Sequence, residues 1–498
     1  MNVNPITRLD YPDLDVIRVE DTYYMVSTTM HFMPGCEILQ SFDLVHWEHV
    51  TYVYETLDHT DAQQLKSGQN IYGQGMWAAS LRYHEGRFYI CFVANDTRKT
   101  YLYTSEKIDG PWKKQLIEGF YHDGSLLFDE DGRNYIVYGN DEIWITELNE
   151  DLTAPKKDGL HRLLVSDHKN PELGYEGSHI QKINGYYYIF LVHSLRDRWM
   201  RTEACFYSDS LEGEFTGGDV LCDDRGYCGQ GVAQGGIVDT PDGKWYAMLF
   251  QDSGAVGRIP ILLPVTWKDH FPVFGQNGHV PEEIEVHSTR PGYIYQPLVG
   301  SDDFCNGLLP RWQFNHDPDP RYYHLDALQG TYTITTREVC TELTQAVNTL
   351  TQRMSYPSCA AEVTVDASAL KEGDVAGLCA LQSCYAAVGI TKHHGKYEVL
   401  MLDKKEDGIL DMTERTVVES HQMDFRLEAD FCNMKDEARC YYRVNKGDWL
   451  PIGTVHKLYF KLDHFTGCRF GLFCYAAEET GGRACFRDFK YYDVDEIS

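Results

Sequence analysis

Three acids stand at corresponding places along the first half of this 498-residue chain: Asp13, Asp123 and Glu176. Each lies about a dozen residues before a short aromatic signal that recurs five times, as Tyr23-Tyr24, Phe88-Tyr89, Asn134-Tyr135, Tyr187-Tyr188 and Trp245-Tyr246. In the other two repeats the same place holds Trp77 and Gln234. A carboxyl that gives a proton and a carboxylate that takes one are standard tools of general acid–base chemistry, and a third acid nearby can tune either. Taken singly, each acid is more simply a turn or edge carboxylate paired with an arginine or a backbone amide. Their shared place in a repeat argues that the chain brings them to one pocket.

The elements that must position them are strands. Up to about residue 285 the chain runs in short segments rich in Tyr, Phe, Val and Ile, such as YYMVSTT, RFYICFV, NYIVYG, YYYIFLV and KWYAMLF. Turn signals such as Asp129-Glu130-Asp131-Gly132 and Pro241-Asp242-Gly243 separate them. Successive aromatic signals are roughly 45 to 65 residues apart, the length of a four-stranded propeller blade with loop insertions. Five repeats predict a five-bladed β-propeller over residues 1–290, each blade beginning with its innermost strand beside the axis. After the connecting segment STRPGYIYQPLVGSDDF the texture changes. Residues 301–498 carry longer alternating runs, AAEVTVDAS, KYEVLML, FRLEADF and CRFGLFCYA among them, which predict an antiparallel, jelly-roll-like β-sandwich. The fold class is therefore all-β.

Bulk properties narrow the function. A net charge of -30 repels phosphate backbones and acidic membrane surfaces, so neither nucleic acid nor membrane is an expected partner. The 15 cysteines are scattered singly, without metal-ligand spacing, and read as reduced thiols. The first residues, MNVNPITRLDYPDLD, lack an apolar run, and the expectation is a cytoplasmic protein.

The segments NPITRLDYPDLDVIRVEDTYYMVSTT, GMWAASLRYHEGRFYICF, HDGSLLFDEDGRNYIVYG, GYEGSHIQKINGYYYIFLV and GGIVDTPDGKWYAMLF resemble, in order, the blade motifs of family 43 glycoside hydrolases. The second half resembles the C-terminal sandwich of that family's β-xylosidase branch, with FTGCRFGLFCYA and ACFRDFKYY as closing strands. The resemblance implies that Asp13 is the general base, Glu176 the general acid, and Asp123 the acid that tunes Glu176 and orients the sugar. Asp15 is the competitor for the first role, and Asp13 is preferred because it follows Pro12; Leu14 stands where the family has a second proline. Trp77 is expected to offer a wall to the sugar ring, Phe32 to line the pocket, and Arg258 to contact sugar hydroxyls and a catalytic carboxylate. Gln234 replaces a family histidine associated with a central calcium ion, so calcium is an option that the hydrolytic chemistry does not require.

Physical chemistry supports the same roles. Inversion at a glycosidic carbon needs one protonated carboxyl at the leaving oxygen and one carboxylate that activates water on the opposite face. Like-charge repulsion from Asp123 is expected to raise the Glu176 pKa. The loop YETLDHTDAQQLKSGQNIYGQ is long enough to close one end of a cleft, which favours removal of single terminal sugars. The expected activity is thus an inverting exo-glycosidase that takes terminal pentoses from xylo- or arabinoxylo-oligosaccharides, most simply a β-xylosidase with α-L-arabinofuranosidase activity. The alternatives are a debranching α-L-arabinofuranosidase or a non-catalytic carbohydrate-binding propeller. A homo-oligomer is compatible with either.

Overall fold

The computed structural model describes residues 4–493; the outermost parts of the two predicted domains, residues 1–3 and 494–498, lie outside the described residues. Five four-stranded antiparallel sheets follow one another along the chain, with innermost strands Asp15–Val19, Met76–His84, Ser125–Phe128, Glu176–Ile183 and Val232–Asp239. They are the five propeller blades. Every aromatic signal falls on the second strand of its blade and pairs with the end of the inner strand, as in Tyr23 opposite Arg18, Phe88 opposite Tyr83 and Trp245 opposite Asp239. Alternation then aims one residue of each signal into the core between blades, where Tyr23, Tyr135, Tyr188 and Tyr246 are buried. The ring closes through the amino-terminal segment: the Asn4 side chain bonds both backbone groups of Leu262 in blade five, and the Tyr11 N–H donates to the Arg258 carbonyl at 3.1 Å.

The carboxy-terminal half is a sandwich of an eight-stranded and a seven-stranded sheet, both antiparallel. Between them lies one large apolar cluster that includes Trp312, Phe425, Phe470 and Phe486. The connecting segment is strapped to blade one by Arg290 on Asp21 and by the Phe42 N–H donating to the Tyr295 hydroxyl.

Contact between the domains is built from polar and aromatic groups of both. Arg353 of the sandwich pairs with Glu37 at 2.8 Å and lies 4.0 Å above the Tyr11 ring. Tyr72 of the propeller stacks on His464 at 3.9 Å between centroids. The long loop between blades one and two is committed to this seam: Gln63 and Gln64 accept backbone and arginine hydrogen bonds from Asp317 and Arg337, and the Ile71 N–H donates to His316 Nε2.

Phe32 is placed differently from the expectation. With Met33 it forms a two-residue strand that adds to the edge of the eight-stranded sandwich sheet, opposite Phe314 and Asn315. It is 1% exposed, beneath the Arg469 guanidinium at 3.5 Å, and packs in the sandwich core rather than lining a pocket. The segment just before it stays at the site, since Thr28 bonds Asp13 and Met30 pairs with Met76, but the Phe32 ring itself is turned into the sandwich.

Candidate active site

Two backbone devices deliver the five repeat residues to one end of the axis. Asp13 and Asp123 each sit two residues before an inner strand with positive φ, 51° and 47°, a conformation that aspartate tolerates better than most residues. In blades two, four and five the strand instead breaks register at its start, around Trp77, just after Glu176 and around Gln234. Such bulges re-aim side chains. The bulge after Glu176 depends on Gly177 (φ 64°), because a Cβ there would come within 2.7 Å of Gln234 Cγ.

Asp13 is 8% exposed, and both of its oxygens are engaged: Oδ2 accepts from the Thr28 hydroxyl at 2.7 Å and Oδ1 from Arg258 Nη1 at 2.8 Å. Arg258 is buried, with its Cζ 4.3 Å from the ring centroid of Phe465, a residue of the second domain. Asp10 holds that arrangement together by accepting the backbone N–H groups of both Arg258 and Gly467 at 2.8 Å. Asp15, the competing acid, is 1% exposed and accepts from Arg82, the Leu81 N–H and His179. Against the effect of burial, the Arg82 and His179 charges hold it at about 2, as a fixed structural anion.

Asp123, 6% exposed, accepts the Gly177 N–H at 2.9 Å. Glu176 Oε2 accepts from Asn140 at 2.7 Å and lies 3.4 Å from His122 Nε2, which is also 3.6 Å from Asp123 Oδ2. Burial disfavours a charge on His122, but Asp123 and Glu176 outweigh it and lift the imidazole to about 9. Burial pushes Asp123 up to about 6, with His122 opposing and Glu176 and Asp13 adding to the rise. Glu176 moves the other way: although burial opposes it, His122, Arg201 and Asn140 hold its carboxyl below the usual range. The balance at Glu176 therefore runs opposite to the expected rise. Like-charge repulsion is real, but it acts on Asp123, while His122 supplies Glu176 with a cation.

Trp77 is half-buried, with its ring 5.8 Å from His122 and 5.7 Å from Phe465, and its buried indole N–H has no partner among the described residues. A sugar hydroxyl would satisfy it. Gln234 is buried against Gly177, and its N–H donates to Glu203 Oε2 at 2.7 Å. It supports the strand carrying Glu176.

The sequence expectations did not include Thr28, His122, Asn140, Arg201 or Phe465. His122 had a signal, since it directly precedes Asp123 in HDGSLL. Phe465 had none, because it sits on a loop between sandwich strands.

Calcium takes about six to eight oxygen ligands, usually with several carboxylates. Beside Gln234, Asp15 is spent on Arg82 and His179, and burial pushes Glu203 well above the usual carboxylate range. Among the described residues one group could gather on an ion, His122, Asp123 and Glu176, with ligand atoms within 4.8 Å of one another. That set offers one imidazole nitrogen and two carboxylates, short of the oxygen-rich shell calcium takes, so these donors do not fit calcium.

Residues 3–272 match the description of glycosyl hydrolases family 43, and residues 301–492 match a β-xylosidase C-terminal concanavalin A-like domain. The chain is 27% identical to a β-xylosidase of Formosa agariphila, over 99% of this chain and 89% of the relative. It is 24% identical to a non-reducing end α-L-arabinofuranosidase of Bacteroides ovatus, over 82% and 79% of the two chains. Among solved structures, a bifunctional GH43-CE protein of Bacteroides eggerthii superposes with a TM-score of 0.92 at 42% identity; the alignment covers 98% of this chain and 63% of that longer one.

Proposed function

The chain belongs to family 43 of the glycosyl hydrolases, and from that premise we propose that it is an inverting, exo-acting pentosidase on hemicellulose oligosaccharides, a β-xylosidase that also accepts α-L-arabinofuranosides. The observation that carries this reading is the meeting of Asp13, Asp123 and Glu176 at one end of the propeller axis, with Arg258 on the first and His122 between the other two. Asp13 activates the water, positioned by Thr28 and Arg258. Glu176 protonates the leaving oxygen, and His122, raised by the two acids, stands 3.4 Å away to supply the proton. Asp123 fixes the Gly177 bulge and shares the local proton. A lectin would have no use for an acid and a base placed in this way.

Relatives named for both pentosides leave the preferred sugar to experiment. Release of nitrophenol from the aryl β-D-xylopyranoside and α-L-arabinofuranoside, compared between native protein and Glu176→Ala, tests the reading. Loss of a general acid typically costs about a hundredfold to ten-thousandfold, less with a good leaving group. No hydrolysis of either sugar, or an unaffected variant, would sink it. All fifteen cysteines are free thiols, which supports a reducing, cytoplasmic setting; recovery in the periplasmic or secreted fraction would contradict it.

A further inference from the structure

Beside the axial pocket, a groove of about 560 Å³ runs between blades four and five and the sandwich. That size falls in the usual range of ligand sites, about 300–1,000 Å³. From the propeller it is lined by Trp199, Arg201 and Asp252, and from the sandwich by Phe460, Leu462 and Phe465. It shares Arg201 and Phe465 with the surroundings of the catalytic residues. Phe465 forms one end and at the same time covers the Arg258 guanidinium that holds Asp13. Asp252 pairs across the strands with Arg258, and Arg201 is bonded to Asp252 at 2.9 Å while its charge is felt by Glu176.

The groove is prepared for a partner that is part apolar and part hydroxylated. Trp199 is 43% exposed although it is a large aromatic residue, and Leu462 is 73% exposed on the facing wall. The Arg201 guanidinium lies 5.3 Å from the Trp199 ring and 5.3 Å from Phe250, which fixes one side of the indole and leaves the rest to solvent. Arg201 Nη1 and Asp436 Oδ1, from residues on opposite walls, are buried without hydrogen-bond partners among the described residues. The facing loop is seated firmly, since Gly73 (φ 68°) approaches so closely that a Cβ there would come within 2.5 Å of the Leu462 carbonyl oxygen. A protein partner would require a wide flat face. An oligosaccharide chain requires what is here: a narrow trough, an aromatic plane, and unsatisfied polar groups.

We propose that this groove binds the sugars beyond the first leaving residue, so that it sets the preferred chain length of the substrate. The proposal rests on the pentosidase reading above and adds an address for the leaving chain. Two residues link groove and acid: Phe465 covers the Arg258 that holds Asp13, and Arg201, bonded to Asp252, lines the groove while its charge reaches Glu176.

The test compares kcat/KM for the aryl xyloside, xylobiose, xylotriose and xylotetraose, with arabinoxylo-oligosaccharides if the arabinofuranoside is the better aryl substrate. Native enzyme is expected to gain with chain length beyond the disaccharide. In Trp199→Ala and Leu462→Asp the ratio of the tetraose value to the aryl value is expected to fall roughly three- to tenfold, the worth of one stacking contact. Calorimetric titration of xylotetraose into Glu176→Ala, with and without Trp199→Ala, should show the same loss in Kd. Flat chain-length dependence in the native enzyme, or unchanged ratios in both variants, would overturn the groove while leaving the pentosidase reading intact. Failure on both aryl glycosides would instead overturn that reading and the groove with it.

Discussion

The substitution His122→Asn removes the cation that decides where the site's proton sits. The imidazole Nε2 lies 3.4 Å from Glu176 Oε2 and 3.6 Å from Asp123 Oδ2. At an effective dielectric of about 20, a charge pair at such distances is worth about 5 kcal/mol. That corresponds to roughly three to four pH units on each carboxyl. In the native enzyme the last proton of the trio leaves with His122, at about 9, so kcat/KM should carry an upper limb near that pH. Without the imidazole, the proton falls to the two carboxyls, and the upper limb follows their ionisation in place of the imidazole's. Measured from pH 4 to 10 on the preferred aryl pentoside, the variant's upper limb should leave the imidazole's position near 9, where the native enzyme keeps it. An upper limb that stays near 9, or a loss of equal size at every pH, would refute the assignment of the proton to His122. Linkage adds an independent check. Both His122 and Asp123 are raised on folding, so their contributions to stability are present at low pH. Asp123's is lost as pH climbs through about 6, and His122's as it climbs through about 9. Denaturant melts of the native protein should therefore weaken between pH 7 and 10 by more than those of His122→Asn.

Gly177→Ala forces a Cβ to within 2.7 Å of Gln234 in a left-handed backbone and should cost about 1–3 kcal/mol in urea melts, with kcat falling more than KM rises. Asp10→Ala strands two buried N–H donors, at Arg258 and Gly467, for about 2–6 kcal/mol together, and calorimetric melting will show whether both are felt. Phe465→Ala uncovers Arg258 and should reduce kcat/KM about tenfold on aryl glycosides as well as on oligosaccharides, which separates it from Leu462→Asp. Dialysis against EDTA should leave activity unchanged, because Asp15 and Glu203, the acids considered beside Gln234, are engaged by Arg82, His179 and the Gln234 N–H; a loss restored by calcium would contradict the fit argued above.

Much of the propeller was legible because a repeat multiplies weak evidence. One Tyr-Tyr pair means little, but five such signals predict five second strands, and each pair lies at the hairpin end of its second strand, opposite the end of the inner one. The meeting of the three acids was legible by the same logic, since each stands at the start of its blade, whereas the division of roles among them came from the family resemblance. What escaped is whatever the repeat does not encode. Phe32 was misplaced because a two-residue edge strand leaves no periodic trace, and its partners, Phe314 and Asn315, lie in the other domain. The proton order was misjudged because a count of acids shows repulsion but not the histidine between them.

Those misses share a physical origin in the seam. A propeller alone leaves the mouth of its axis open to water, where a buried Arg258–Asp13 pair would be solvated and weakened. The sandwich supplies the missing low-dielectric wall: Phe465 lies on Arg258 and beside Trp77, and Asp10 ties the Phe465 loop to the strand that begins with Arg258. In return the propeller gives the sandwich an edge strand and the loop that stacks Tyr72 on His464. Each domain therefore completes the other at the point where chemistry is done, and the catalytic pocket has to be counted as a property of the pair. The same reasoning explains the groove. A leaving chain departing from Glu176 must pass between the two domains, and that is where the exposed Trp199 and Leu462 face each other.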